Sequence, residues 1–298
     1  MLRKRQLGSA DIVVSEMAMG TWELGGLFHL HRNKMTDEEG VLLVERALDC
    51  GLNTFDTSDV YGNGRSETIL GISLRGKRDK CVLITKTGYL VGVDGAQRIF
   101  TTRDLDQPRC YSPRYVSNSC ERSLMRLQTD YVDVFLLHSP PMDVVKRAST
   151  WRSLERLKDQ GKARLVGVSA NVEGCLEAVT NGRADVVEIA FSLYDPSAAK
   201  ELLPLCAEKG VGVIARSPFA SGNLFKKKDP LVRQLGFLVN ERRSLTEAAI
   251  KYCLSNPHVS TIVTGVHEIK ELQANIKACK RPLLRKDELL RLQEIFNA

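Results

Sequence analysis

Residues 132–138 read VDVFLLH, a short run that is apolar at every position except Asp133 and His138. Seven residues suit a strand better than a helix, and an almost continuous apolar run is typical of a strand covered on both faces. Helical patterns separate this run from similar ones, which are EMAMG (16–20), NTFDT (53–57), CVLITK (81–86), ARLVGVS (163–169), DVVEIAF (185–191), VGVIARS (211–217) and STIVTG (260–265). These eight strand–helix units predict a parallel sheet covered by helices.

The length of the chain decides between two arrangements of such units. A closed (β/α)8 barrel typically needs about 250 residues, and this chain has 298. We therefore predict an α/β fold of the TIM-barrel type, a single domain over residues 1–298, with an open doubly wound sheet as the less favoured alternative. The start of the chain, MLRKRQLGSADIVV (1–14), holds two short alternating runs around Gly8. These runs predict a β-hairpin that closes the barrel bottom.

Composition and charge limit the classes of partner. The chain carries a formal net charge of +7, but its basic residues are mixed with acids, so we expect no nucleic-acid partner. No apolar run approaches the roughly 20 residues of a membrane span, and no apolar core follows the basic start, so we expect neither membrane binding nor a signal peptide. The 8 cysteines form no C-x-x-C pair. Buried free thiols in a reducing cytoplasm fit them best.

Polar side chains stand at the carboxyl ends of three successive predicted strands, where such barrels hold their chemistry. Asp56 ends the second strand and is followed by Tyr61, while Lys86 ends the third strand and His138 the fourth. Each residue alone has a structural explanation, such as a turn-forming aspartate. Together they are hard to explain by chance, and a lysine in an apolar strand needs a partner, which Asp56 supplies.

The four residues also make chemical sense together. The phenol of Tyr61, with an ordinary pKa near 10, is a poor proton donor at neutral pH, and the ammonium of Lys86 is expected to lower that pKa. Asp56 would keep Lys86 charged, and His138 would hydrogen-bond a substrate oxygen. Such an acid/base site at a carbonyl or alcohol needs a hydride partner, because none of these side chains can carry hydride.

With these residues in place, the sequence resembles the aldo-keto reductases. The resemblance spans about residues 5–278 and rests on an ordered set of motifs, which are LGSADIVVSEMAMGTWELGG (7–26), FDTSDVYGNGRSETILG (55–71), ITKTG (84–88), YVDVFLLHSP (131–140), GKARLVGVSAN (161–171), ARSPFASGNL (215–224) and TGVHEIKELQANIKA (264–278). It implies a TIM barrel with a nicotinamide cofactor extended across its top. Asp56, Tyr61, Lys86 and His138 then match the family's catalytic tetrad, with Tyr61 as general acid/base.

The resemblance also implies a cofactor site, transferred position by position. Its candidate contacts are Ser169, Asn171, Glu188, Arg216, Ser217, Gly222, Leu224, Lys227, Gly265, His267 and Asn275. Two positions depart from the family's usual pattern. Glutamine is common where Glu188 stands, and the family's asparagine usually follows Ser169 directly, whereas Asn171 comes one residue later here.

The choice of dinucleotide depends on segment 265–275. Relatives that use NADP often place basic residues there to pair with the 2′-phosphate. His267 and Lys270 would serve, but Glu268 and Glu271 weaken the case. The resemblance favours NADP(H), which the family commonly uses, with NAD(H) as the alternative.

Three further features lie near the expected site. Trp22 is a candidate for the substrate mouth, with a packing tryptophan as the alternative. His29 and His31 have an H-x-H spacing, but no cysteine or acid cluster joins them, so we predict a lip of the active site and no metal site. The long segment 87–112 is expected to shape the substrate pocket.

The residues and the resemblance together predict an NAD(P)-dependent oxidoreductase. Hydride would pass between the nicotinamide and a small aldehyde, ketone or sugar-like alcohol, while Tyr61 transfers the proton. A second hypothesis is a nicotinamide-binding regulatory subunit with little turnover, because potassium-channel β subunits resemble reductases yet act largely through a partner. An intact tetrad is compatible with both, and the sequence indicates neither the substrate nor the oligomeric state.

Overall fold

The strands of the protein close into a barrel. The computed structural model describes residues 2–26, 35–91, 108–226 and 228–297. A hairpin of β1 (Lys4–Gln6) and β2 (Val13–Ser15) precedes the barrel strands, which are β3 (Met17–Gly20), β4 (Thr54–Asp56), β5 (Val82–Thr87), β6 (Val132–His138), β7 (Ala163–Ser169), β8 (Val186–Ala190), β9 (Gly212–Arg216) and β10 (Thr261–Gly265). Neighbouring barrel strands are parallel, and β10 pairs with β3 to close the ring. The predicted (β/α)8 barrel is confirmed.

Helices connect the strands on the outside of the barrel. They are α1 (Asp37–Asp49), α2 (Arg65–Ser73), α3 (Pro113–Leu127), α4 (Met142–Lys146), α5 (Ala148–Asp159), α6 (Val172–Thr180), α7 (Leu202–Lys209), α8 (Pro230–Gln234), α9 (Leu245–Ser255), α10 (Ile269–Lys280) and α11 (Lys286–Asn297). Side chains cap the starts of α1 and α3. Thr36 and Glu39 form a capping box at α1, and Ser112 caps α3 ahead of a proline.

Side chains alternate between two apolar layers along each barrel strand. One set packs between strands and helices, for example Phe55, Phe135 and Val187. The other fills the barrel interior, where Ala18, Val82, Ile84, Val134, Leu136, Val186, Ile214 and Val263 meet Leu7, Ile12 and Val14 of the hairpin segment. A strand buried on both faces needs an apolar residue at nearly every position, which explains the runs seen in the sequence.

The N-terminal hairpin closes the end of the barrel at which the strands begin. Its strands pair antiparallel, with Lys4 opposite Ser15. The backbone N–H of Ser9, in the turn, donates to the carbonyl of Gly210 at 2.8 Å, just before β9. Arg5 donates to Glu16 at 2.9 Å and to the carbonyl of Val259 at 2.8 Å. The predicted hairpin is therefore present, and it leaves the opposite end of the barrel open for chemistry.

Packing between β7 and β8 predicts a severe effect of one added methyl group. A Cβ on Gly167 would lie 1.7 Å from the carbonyl oxygen of Val186, and backbone cannot move aside without breaking the barrel ladder. We expect Gly167→Ala to lower the free energy of unfolding by about 3 kcal/mol, as overpacking in rigid cores does. Urea unfolding followed by circular dichroism measures this. Gly236→Ala, where a Cβ meets no atom within 4 Å, is the control, and equal stability of both variants would contradict the prediction.

Candidate active site

The candidate active site lies at the carboxyl ends of the barrel strands, one step above the interior apolar layer. Because side chains alternate with a period of two, the residue two positions after an interior residue also faces inward. Lys86 follows Ile84 in this way, His138 follows Leu136, Glu188 follows Val186, and Arg216 follows Ile214. The same repeat that fills the barrel with apolar side chains therefore turns its charged side chains toward one another.

Lys86 is the centre of a buried ion-pair network. Its Nζ donates to both carboxylate oxygens of Asp56 at 2.7 Å and to the carbonyl of Thr57 at 3.0 Å. A second carboxylate also contacts this ammonium, with Oε2 of Glu188 3.2 Å from Nζ. Arg216 continues the chain, with its Nε 3.8 Å from Oε1 of Glu188. Acidic and basic side chains thus alternate from β4 to the neighbouring β5, across the barrel to β8, and on to the neighbouring β9. Lys86 itself is wholly buried.

Tyr61 lies directly above this network. The centroid of its ring is 5.4 Å from Nζ of Lys86 and 6.0 Å from the ring centroid of His138. Gly62 makes this position possible, because it adopts a φ of +62° and a Cβ there would lie 2.5 Å from the carbonyl oxygen of Gly25. Trp22 stacks on the outer side of Tyr61 with ring centroids 6.1 Å apart, and it is 46% exposed.

The electrostatics of the network differ from the sequence-based expectation for Tyr61. Burial raises the pKa of Tyr61 above its ordinary value, and the Lys86 ammonium lowers it by less than burial raises it. Burial acts to lower the pKa of Lys86, but the carboxylates of Asp56 and Glu188 outweigh burial and raise it. Burial and Glu188 act to raise the pKa of Asp56, and the Lys86 ammonium opposes them and holds the carboxylate in an ion pair. The phenol therefore keeps its proton at neutral pH, and the lysine stays charged.

His138 is held by residues that sequence reasoning did not single out. Its Nδ1 lies 3.0 Å from Oγ of Ser58, and its ring meets that of Tyr89 edge-on with centroids 5.0 Å apart. The hydroxyl of Tyr111 donates to its backbone carbonyl at 2.6 Å. Burial lowers the pKa of His138 well below its ordinary value, and Lys86, Arg216 and Arg109 lower it further. His138 is therefore neutral.

The long segment 87–112 contacts the site from both of its described ends. Tyr89 lies near its start, and Tyr111 lies near its end. Arg109 joins the two parts, since its guanidinium lies 4.9 Å from the centroid of the Tyr89 ring and donates to the carbonyl of Ser139 at 2.8 Å. Residues 92–107 lie outside the described residues, as do His29 and His31. The prediction that this segment shapes the substrate pocket stays a prediction.

Some of the residues predicted to hold the nicotinamide end of a cofactor lie next to one another, and one is placed differently. Ser169 is buried at the end of β7 and is the register neighbour of both His138 and Glu188. Arg216 ends β9 beside Glu188, partly exposed. Asn171 is placed differently, because its side chain caps α6 by accepting from the backbone N–H of Gly174 at 3.0 Å.

The other predicted cofactor contacts fall in two places. Ser217, Gly222 and Leu224 follow β9; Leu224 is buried, and a Cβ on Gly222 would meet no atom within 4 Å. Lys227, predicted to join them, lies outside the described residues. Gly265 ends β10, His267 lies between β10 and α10, and Asn275 is buried in α10. These assignments stay predictions.

Glu23 is a further residue that sequence reasoning missed, although it stands in the GTWELGG stretch. Its carboxylate packs where a Cβ of Gly265 would lie, and its Oε2 is buried with no hydrogen-bond partner. Burial raises the pKa of Glu23 to about 7, and Glu271 adds to this effect. Glu271 in turn accepts from the backbone N–H of His267 at 2.8 Å. A second acidic residue therefore acts on Glu23 at the edge of the site.

The described part of the chain holds neither a metal-ligand cluster nor a membrane-spanning helix. Among the described residues, no group of three or more histidine, cysteine, aspartate or glutamate side chains could hold a metal ion. Within the ranges given above, the helices lack either the length or the apolar character needed to span a bilayer.

The sequence model of the Aldo/keto reductase family matches residues 16–297. The chain belongs to this family. It is accordingly an oxidoreductase, and the family resemblance read from the motifs is confirmed. A family of this breadth leaves the substrate and the dinucleotide open.

Individual relatives agree with this assignment. The chain is 30% identical to the uncharacterized oxidoreductase YqkF of Bacillus subtilis over 98% of this chain and 96% of the relative. It is 32% identical to the NADH-specific methylglyoxal reductase of Escherichia coli over 75% of this chain and 69% of that enzyme. Among solved structures, the holo form of aldo-keto reductase AKR11C1 from Bacillus halodurans superposes with a TM-score of 0.83 at 28% identity, covering 99% and 96% of the two chains.

The buried carboxyl of Glu23 predicts a pH-dependent loss of stability. The unfolded chain releases this proton near pH 4.5, whereas the folded protein holds it to about pH 7. Folding stability therefore falls as pH rises from 4.5 to 7 and stays reduced above. We expect Glu23→Gln to stabilise the protein by about 1 to 3 kcal/mol at pH 8 and to have little effect at pH 4.5.

Thermal and urea unfolding at the two pH values test this prediction. Glu38→Gln makes the same chemical change at an exposed position of α1, and it should leave the pH dependence unaltered. A Glu23→Gln protein whose stability follows that of the unmodified protein at both pH values would contradict the assignment.

Proposed function

We propose that the protein is a nicotinamide-dependent reductase of small aldehydes and ketones, also able to oxidise sugar-like alcohols, with Tyr61 as the proton donor and acceptor. The observation that carries the proposal is the buried Lys86–Asp56 ion pair directly beneath the Tyr61 ring. A buried ion pair contributes little net stability, so its presence beneath the ring favours a role in the chemistry above it. His138, neutral and facing the same space, supplies a hydrogen-bonding partner for a substrate oxygen.

The residues around this network fit a nicotinamide dinucleotide. Oε2 of Glu188 is buried and has no hydrogen-bond donor in good geometry, so it can accept from a carboxamide amine. Ser169 stands beside it with a hydroxyl group. Gly222 adds open space after β9, because a Cβ there would meet no atom within 4 Å. Oε2 of Glu23 adds a further hydrogen-bond acceptor without a partner. When bound, such a cofactor supplies or accepts the hydride.

The chain's own residues then handle the proton. Tyr61 keeps its proton at neutral pH because burial raises its pKa, so it can donate to the oxygen of a carbonyl as that oxygen gains negative charge. Lys86 stabilises the phenolate that remains. Asp56 holds Lys86 in place and charged, while His138 fixes the substrate oxygen within reach of Tyr61. In the reverse direction the phenolate accepts the alcohol proton, so alcohol oxidation is faster at high pH.

We propose NAD(H) as the working dinucleotide, rather than the NADP(H) that family habit favours. Glu271 lies 3.3 Å from Nδ1 of His267 and occupies its backbone N–H as well, so this histidine already faces an acid. Glu23 is a further carboxyl group whose pKa responds to Glu271. Glu268, just before α10, is another acid in this region. This excess of acids disfavours a 2′-phosphate. A relative named as NADH-specific is consistent with the proposal.

Removal of the Tyr61 hydroxyl tests the proposed chemistry. We expect Tyr61→Phe to lower kcat for methylglyoxal and other small aldehydes by about 10²- to 10⁴-fold, the usual contribution of a positioned proton donor, while NADH binding is kept. Tyr131→Phe is the matched control, because Tyr131 lies at the opposite end of the barrel, just before β6. Full turnover in Tyr61→Phe would refute the mechanism. Tight cofactor binding with negligible turnover of the unmodified protein would instead support a regulatory subunit.

Fluorescence titration with the two reduced dinucleotides tests the proposed preference. We expect NADH to bind at least about tenfold more tightly than NADPH, and Glu271→Gln to narrow the ratio by about threefold, the effect of one partly screened charge. Glu38→Gln should leave the ratio unchanged. Tighter binding of NADPH, or a ratio that does not respond to Glu271→Gln, would contradict the role given to the acids.

A further inference from the structure

A chain of buried hydrogen bonds links His138 to residues outside the ion-pair network. Oγ of Ser58 lies 3.0 Å from Nδ1 of His138 and 3.2 Å from Oδ1 of Asp59. Oδ2 of Asp59 accepts from the hydroxyl of Ser119 on α3 at 2.9 Å. Ser58 and Ser119 have no exposed surface, and Asp59 is 1% exposed. The proposed proton transfer by Tyr61 uses none of these three residues.

Asp59 is a buried carboxyl group whose close partners are two hydroxyls. Burial raises its pKa to about 7, and Glu67 on α2 raises it further, while Ser119, Arg126 on α3 and Ser58 act in the opposite direction. Glu67 and Arg126 are themselves an ion pair with 2.6 Å between Oε2 and Nη2. The phenols of Tyr111 and Tyr115 are the other titratable groups that face Asp59.

The hydroxyl of Ser58 can donate only one proton, so the chain has two ordered arrangements. When Asp59 is ionised, Ser58 donates to Oδ1 and accepts from Nδ1–H of His138. The neutral imidazole then carries no proton on Nε2. When Asp59 is neutral, Oδ1–H donates to Ser58, Ser58 donates to Nδ1, and the imidazole proton sits on Nε2. Both arrangements satisfy every member of the chain.

We propose that Ser58 and Asp59 act as positioning residues that set which ring nitrogen of His138 carries the proton. Only the arrangement with neutral Asp59 leaves Nε2 as a donor toward the substrate space. A carbonyl oxygen needs such a donor, because it can only accept. The catalytic consequence rests on the proposed function, whereas the tautomer itself does not.

The charges around His138 restrict it to these two states. Lys86, Arg216 and Arg109 face it from β5, β9 and the segment before α3, and with burial they keep the ring neutral. Tyr111 occupies the backbone carbonyl of His138, and the ring of Tyr89 packs against the imidazole edge-on. The ring is therefore fixed in place and uncharged, and what can still change is the tautomer.

Nitrogen-15 NMR of the cofactor-free protein with labelled histidine tests the proposal directly. The chain has 5 histidines, and the signals of His138 are those absent from His138→Gln or, should that variant not fold, those shifted in Ser58→Ala. We expect the proton to sit on Nε2 at pH 5.5 and on Nδ1 at pH 9. In Asp59→Asn it should remain on Nε2 throughout, because the amide donates to Ser58 and accepts from Ser119.

Two results would overturn the proposal. One is a His138 tautomer that does not change with pH in the unmodified protein, and the other is an Asp59→Asn protein that titrates like the unmodified one. Asp130→Asn, at an exposed position after α3, is the matched control and should retain the switch.

Kinetics supply the functional readout. We expect KM for an aldehyde to rise about tenfold from pH 6 to pH 8.5, as the competent tautomer becomes a minor species, and to change by less than about twofold in Asp59→Asn. If the tautomer switches as expected but KM is independent of pH, His138 does not act as the donor to the substrate. If Tyr61→Phe keeps full turnover, the proposed function fails while the tautomer result stands.

Discussion

A lysine ammonium enclosed by carboxylates inside an apolar barrel is the constraint on which the rest of the site depends. Removing such a cation from water costs several kcal/mol, and here two oxygens of Asp56 and one of Glu188 offset that cost. The apolar layer formed by Ile84 and its neighbours lies directly beneath and excludes water from below. Loss of Lys86 would leave the buried carboxylates of Asp56 and Glu188 without their cation, so the lysine supports the folded site as well as the proposed chemistry.

Burial decides the protonation of Tyr61 and His138 beside this pair. The same exclusion of water that makes the ion pair necessary raises the pKa of Tyr61 and lowers that of His138. The sequence suggested that the Lys86 ammonium would lower the pKa of Tyr61, and the ammonium does act in that direction. Its effect is outweighed because desolvation of a phenolate costs more than one ammonium in a network of balanced charges can return.

The barrel and its strands could be predicted closely because they rest on local periodicity. Observed strand ends such as those of β6 and β7 coincide with the apolar runs. The cofactor contacts were less accessible. Asn171 matches a family position by type, yet its side chain is used to cap α6. Glu23 and Asp59 were missed because nothing local distinguishes a buried carboxylate from an exposed one.

The sequence by itself determined the eight-fold barrel, the family, and the positions of Asp56, Lys86 and His138 at neighbouring strand ends, because alternation along a strand fixes both spacing and facing. The tertiary structure alone decided what surrounds those residues. Three contacts join segments that are distant in sequence. They are the pairing of Glu188 with Lys86, the packing of Tyr61 and Gly62 against Gly25, and the hydrogen-bond chain from His138 through Ser58 to Asp59. Their energies depend on which groups are removed from water, and only the folded chain defines that.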